Sequence, residues 1–335
     1  MIGMRVQGVR LAAMSWLVAA MVAFLAATAA NAQDRVAPQV TLVRTLEGHQ
    51  SAVRAVAIAK NGMRIISGGL DTSIKLWDVR TGRLVRSIDA GAGAGVLAVL
   101  FTADGARIIG GRTDGSIGIW ESESGALVRI LKGHASAVHS MALSPDGTTL
   151  VSGSKDKTIK VWELGSGELI RTLESHGAGV EAVAVSPDGA MVLSASDDAT
   201  IKLWELATGR LTRTFEGHEG FVLSVAFSPN GATFVSGGVD RLVKQWDLAT
   251  GRLLRTLRGH FGEVFAVALT RDASTIISGS DDMLLMLWDA GTGKLMRVVP
   301  GHEESVHALT LSADGATIVS ASADRKVTIF SLERY

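Results

Sequence analysis

Histidine, serine and aspartate, the side chains of a nucleophilic hydrolase triad, recur in this chain at fixed spacing. His134 is followed by Ser152, Asp156 and then Trp162. The set returns as His49, Ser67, Asp71 and Trp77, and as His176, Ser194, Asp198 and Trp204. It returns again as His218, Ser236, Asp240 and Trp246, and as His260, Ser278, Asp282 and Trp288. A triad is defined by geometry and role rather than by residue type. An active site needs one such set, so near-copies along the whole chain point to a structural duty. Six of the eight histidines fill this slot, and His139 and His307 stand apart from it, so the spacing predicts no metal-ligand cluster. Gly91 to Gly95 lacks the Lys-Ser/Thr and the helix of a phosphate-binding loop. No cofactor is expected.

The elements that position these residues follow from the period. The His slot reads His49, Ala92, His134, His176, His218, His260 and His302, in steps of 42 or 43 residues. The Asp slot reads Asp71, Asp114, Asp156, Asp198, Asp240, Asp282 and Asp324. The Trp slot ends on Phe330. A period of this length defines a repeat architecture. Each unit offers four short apolar runs split by turn residues, as in Val138–Leu143, Thr149–Ser152, Thr158–Trp162 and Leu169–Leu173. Between the first two, Ser144-Pro145-Asp146-Gly147 has the composition of a tight turn.

Gly-His at the start of a unit and Trp77-Asp78, Trp246-Asp247 or Trp288-Asp289 at its third strand resemble the WD-repeat family. Units 2 to 4 carry Trp-Glu instead. The resemblance spans 40–335. It implies an all-β, seven-bladed β-propeller of four-stranded antiparallel blades. It also implies that each Trp, Ser, His and Asp form a buried hydrogen-bond chain. Such a chain suits the chemistry, because indole only donates and a buried imidazole needs both nitrogens satisfied. Unit 2, with Ala92 and Gly110 for His and Ser, lacks this link and is expected to be the most mobile blade. Val40–Leu46 copies a fourth strand ahead of the first Gly-His, while the last unit stops at its third, Val327–Phe330. The N-terminal strand is therefore expected to complete the last blade and close the ring.

Composition excludes several functions. Lys and Arg total 33 against 33 Asp and Glu. Arg5 and Arg10 precede Ala32 and no acid does, so a chain starting at Gln33 has 31 against 33, a net of −2. That is no footprint for nucleic acid. There is no cysteine, hence no disulfide and no thiolate site. Arg5 and Arg10, the Leu11–Leu25 stretch that is apolar apart from Ser15, and Ala30-Asn31-Ala32 read as a signal peptide over 1–32. A linker over 33–39 follows. The expected product is periplasmic or secreted, monomeric and not inserted in a membrane. The competing reading is an uncleaved anchor, since Leu11–Ala30 is long enough to span a bilayer.

By the resemblance, the loops joining fourth to first and second to third strands form the usual contact face. Loops on a rigid scaffold carry function. Positions that differ between copies are the informative ones. They include Arg54, His139, Glu181, Leu223, Phe265 and His307 beside the first-strand valines. Leu70, Lys155, Asp197, Val239 and Asp281 precede the turn aspartates. Phe221, Leu223, Val239, Phe261 and Phe265 gather in blades 5 and 6, as an interaction patch or as channel lining. Met283-Leu284-Leu285-Met286 replaces the usual polar pattern, as an exposed patch or a greasier contact between blades. The expected function is a non-catalytic protein-interaction scaffold with a protein or peptide partner. The alternatives are binding of a small molecule, glycan or peptide in the central channel, or a hydrolase on Glu181, Asp197 and His139. The hydrolase needs a converging acid/base pair, which the sequence does not display.

Overall fold

The computed structural model describes residues 37–91 and 93–333. The expected signal peptide over 1–32, residues 33–36 of the linker and Ala92 lie outside them. The described residues form twenty-eight strands, β1 to β28, in seven four-stranded antiparallel sheets. The expected all-β, seven-bladed propeller is what the chain builds. In blade 1, β2 (Val53–Ile58), β3 (Arg64–Gly69), β4 (Ser73–Asp78) and β5 (Leu84–Asp89) pair in chain order.

Turn chemistry sets the strand ends. In blade 3, the amide of Gly147 donates to the Ser144 carbonyl at 2.8 Å, with Gly147 at φ 74°. Between second and third strands, the residue after the turn Asp is left-handed in all seven blades, six times without glycine. Lys157 (φ 74°) is one case. The neighbouring carboxylate steadies the turn: Asp156 accepts from the Thr158 amide at 2.9 Å.

Burial runs in a gradient across each blade. β3 and β4 are buried at successive positions, because a middle strand meets a neighbouring blade on each face. β5 shows solvent most of its residues. The core is seven apolar clusters, each straddling one interface between consecutive blades. The Met283–Met286 stretch belongs there: Leu284, Leu285 and Met286 are at most 1% exposed, so it is a greasier contact and no surface patch.

The ring closes as expected. β1 (Gln39–Glu47) pairs antiparallel with β28 (Lys326–Glu333), with Leu42 opposite Phe330 and Leu46 opposite Val327. The seventh sheet therefore runs β1-β28-β27-β26, with β26 Val306–Leu311 and β27 Thr317–Ser322. Backbone hydrogen bonds cover what would otherwise be an unpaired strand edge.

Candidate functional site

The recurring His, Ser, Asp and Trp residues come together in every blade that holds them. In blade 3, Trp162 Nε1 donates to Ser152 Oγ at 2.9 Å, and Ser152 Oγ lies 2.8 Å from His134 Nε2. His134 Nδ1 is 2.9 Å from the Asp156 carboxylate, which also accepts from the Ala135 amide at 2.9 Å. An ionised carboxylate only accepts, so Nδ1 carries the proton and Nε2 accepts from the serine hydroxyl. Burial pushes the His134 pKa below 6.5 against the pull of Asp156, which keeps the ring neutral. Ser152 is wholly buried and its oxygen is already bonded by the indole. No substrate reaches it. The chain of bonds fastens the Gly-His loop to the middle of the blade.

Blade 2 departs from this pattern in a way that the sequence did not disclose. The expected missing link is made by another residue: the buried Arg112 donates to the Ala90 carbonyl and lies 3.7 Å from Asp114. Trp120 fills the remaining space. A Cβ on Gly110 would come within 3.0 Å of its ring, and one on Gly118 within 2.1 Å. In blade 7 the His302–Ser320 and His302–Asp324 contacts persist at 2.7 and 2.9 Å, and Phe330 supplies bulk without an N–H.

On the ring axis, the first strands of all seven blades enclose a cavity of 310 Å³. A bulge in each of these strands skips one residue of the ladder, as between Val53 and Ala55 in β2. The same step recurs in every blade. The skipped residues are Arg54, Leu97, His139, Glu181, Leu223, Phe265 and His307, and all line the cavity. A bulge re-aims the extra side chain, so the fold itself creates a seven-membered collar.

Six stretches, 40–78, 125–163, 167–205, 209–247, 251–289 and 293–331, match the family model described as WD domain, G-beta repeat. The chain belongs to the WD-repeat family. The unmatched stretch 79–124 is the one that carries Ala92, Gly110 and Gly118. A segment of 47 residues is 45% identical to the small ribosomal subunit protein RACK1y of Oryza sativa subsp. japonica. That alignment spans 14% of this chain and 14% of that relative's length. WD-repeat propellers generally serve as protein-interaction scaffolds.

The collar of this WD-repeat propeller is chemically divided. His139 and His307, expected to stand alone, each have a partner. His139 Nδ1 sits 2.6 Å from Glu181, whose carboxylate also lies 3.5 Å from Lys155 Nζ; Lys155 pairs with Asp197 at 2.6 Å. Ring curvature swings blades 3 and 4 together, which linear spacing does not express. Burial alone would lift the Glu181 pKa, but His139 and Lys155 hold it below the usual carboxylate range. His307 is 3.3 Å from Arg54 and tilts against the Phe265 ring at 5.1 Å between centroids. Burial, then Arg54, depress the His307 pKa to about 4.

The His139–Glu181 pair is the converging acid and base that the sequence did not display. Among the described residues no hydroxyl lies within hydrogen-bond distance of His139 to serve as its nucleophile. Two serines that line the cavity are engaged elsewhere. Ser140 Oγ accepts from the Val183 amide at 3.1 Å, and Ser224 Oγ from the Val267 amide at 3.0 Å, each tying a blade to the next. The described residues contain no group of three or more acidic or His side chains arranged to hold a metal.

The expected apolar patch of blades 5 and 6 is divided by the fold. Leu223 and Phe265 face the channel, and Val239 is half-buried. Phe221 and Phe261 stand 49% and 52% exposed on the loops after the Gly-His pairs. Leu70 and Asp281 are also exposed. Leu97 is the collar member that the sequence reading passed over, although it follows Val96 in the same phase as Arg54.

Proposed function

We propose that this propeller is a non-catalytic scaffold that receives a protein partner on the loop face around Phe221 and Phe261. The observation that carries this reading is their exposure, since they are the only aromatics among the exposed large apolar side chains of the described residues. Exposed aromatic anchors on rigid loops are the side chains that dominate protein interfaces. Lys155, exposed on the loop between second and third strands where it pairs with Asp197, adds a charged group to the contact loops. The scaffold is read as a monomer, which closure of its ring within one chain supports. The N-terminal Ala30-Asn31-Ala32 pattern supports delivery to the cell envelope or beyond, so the partner is sought there.

The test is affinity capture from envelope and culture fractions with the parent chain and with a Phe221→Ser, Phe261→Ser double variant. Loss of the captured protein with an unchanged melting temperature is the expected result. Equal capture by both baits removes the loop-face reading. N-terminal sequencing of the exported chain is expected to begin at Gln33, and a start at Met1 would replace secretion by anchoring.

A further inference from the structure

Arg54 is a cation without a carboxylate in direct contact; only the more distant Glu181 favours its charge. The β2 bulge turns it into the channel, where burial works against its charge. Its guanidinium meets His307 at 3.3 Å, but an imidazole lone pair takes one N–H of the five available. His307 brings no compensating charge, being held neutral. Among the described residues no carboxylate lies within 4.0 Å of Arg54. Across the lumen, Glu181 is already taken by His139 and Lys155. Charges withdrawn from water are ordinarily paired, and the free edge of this one faces a cavity.

The remaining wall limits what could pair with it. A planar guanidinium fork fits a carboxylate through two parallel hydrogen bonds. Glu181 on the far side repels an anion there and disfavours a doubly charged phosphate. Leu97 flanks Arg54 and Phe265 flanks His307 round the collar, and Leu223 continues the apolar wall beyond Phe265. The 310 Å³ volume is at the small end of ligand sites, which run from roughly 300 to 1,000 Å³. We infer that the channel binds a carboxylate carried on a small apolar body, with its oxygens on Arg54 and its body against Phe265 and Leu223. This site is separate from Phe221 and Phe261, so the capture experiment leaves it standing.

Such a carboxylate comes either from a free small acid or from the C-terminal residue of a peptide. Isothermal titration of the purified chain with phenylacetate, phenylacetamide, Gly-Gly-Phe and its C-terminal amide separates these sources, with inorganic phosphate titrated alongside. The acid is expected to bind saturably and its neutral amide on the order of 10- to 100-fold more weakly, as fits loss of a charge-assisted hydrogen bond. Arg54→Gln should produce the same loss while the melting temperature is retained. Leu223→Trp, which fills the lumen from the opposite part of the collar and leaves the Arg54 side chain in place, should abolish binding and provides the check if Arg54→Gln does not fold. Tighter binding of Gly-Gly-Phe than of phenylacetate assigns the site to a chain end, and the reverse assigns it to a free acid. Equal binding of acid and amide, unchanged binding by Arg54→Gln, binding of neither acid, or preference for inorganic phosphate overturns the inference.

Discussion

Blades 2 and 3 are consecutive copies of one period, yet they are fastened differently. Blade 3 uses the Trp162, Ser152, His134 and Asp156 chain, in which every buried polar atom has a partner. Blade 2 dispenses with three of these contacts and fills the same volume with Arg112 and a repositioned Trp120. The difference teaches that a repeat slot prescribes a volume and a set of donors and acceptors, and not a residue type. Any group that fills the space and satisfies the loop carbonyl holds the blade.

The comparison can be broken by exchanging these devices. Ser152→Ala orphans both the Trp162 indole and the His134 ring. At ~1–3 kcal/mol for each buried group left unsatisfied, the variant is expected to lose roughly 3 kcal/mol in urea unfolding. Gly110→Ser, which restores the missing serine to blade 2, should gain nothing, since its Cβ would meet Ile74 at 2.9 Å and Trp120 at 3.0 Å. A stabilised Gly110→Ser variant would show that blade 2 is an impaired copy and not a repacked one.

The next effect concerns volume. Gly118→Ala drives a methyl into Trp120, and overpacking of this kind costs about 1–3 kcal/mol. The ammonium of the equivalent residue of blade 3, Lys160, donates to Thr172 Oγ1 at 2.9 Å. Lys160→Ala is expected to cost under about 1 kcal/mol, as a single net hydrogen bond does. Thermal melts of the two variants side by side decide the ranking. Arg112→Ala should come third, at about 1–2 kcal/mol from an unsatisfied carbonyl and a small void. Hydrogen exchange should localise that loss to residues 90–116.

The smallest effect is a difference in pH response. Folding lowers the pKa of His134 and His176 below 6.5 by burial, and that of His307 to about 4. The unfolded chain then binds more protons, so stability present above pH 6.5 is lost as pH falls toward the folded values. Blade 2 carries Ala92 and Gly110 in place of the slot His and Ser. Hydrogen exchange at decreasing pH should therefore show blade 3 losing protection relative to blade 2. A second loss follows from pH 3.8 to about 2 as Asp156 protonates, and blade 2 shares this step because the Asp114 pKa is lowered too. Burial alone would raise the Asp156 pKa, but the Thr158 hydroxyl, the Ala135 and Thr158 amides and His134 outweigh this. Equal responses of the two blades would remove the distinction.

Much of the fold is legible along the chain because each blade is a local unit. The strands, the turns at Gly147 and Lys157, and the hydrogen-bond sets all join residues within one period. The candidate site is legible only in part. Arg54, His139, Glu181 and Phe265 stand out as positions that vary between copies, but nothing in their order predicts that a bulge turns them to the axis. Phe221 precedes its valine by one residue and Phe265 follows its own by one, and the fold sends the first to solvent and the second to the channel. Arg112 is unmarked in the sequence because its partner, the Ala90 carbonyl, belongs to the backbone.

The sequence by itself determined the number of blades, the bonding set in the blades that keep the His, Ser, Asp and Trp residues, and the strand that latches the last to the first. These depend on period and on residues at most about one repeat apart, with β1 as a displaced copy of a strand. Tertiary structure decided what meets across the axis. Arg54 and His307 are 253 residues apart and lie 3.3 Å from each other, because a closed ring makes its first and last blades neighbours. Proximity of this kind follows from curvature accumulated over seven sheets, a quantity that no single repeat contains.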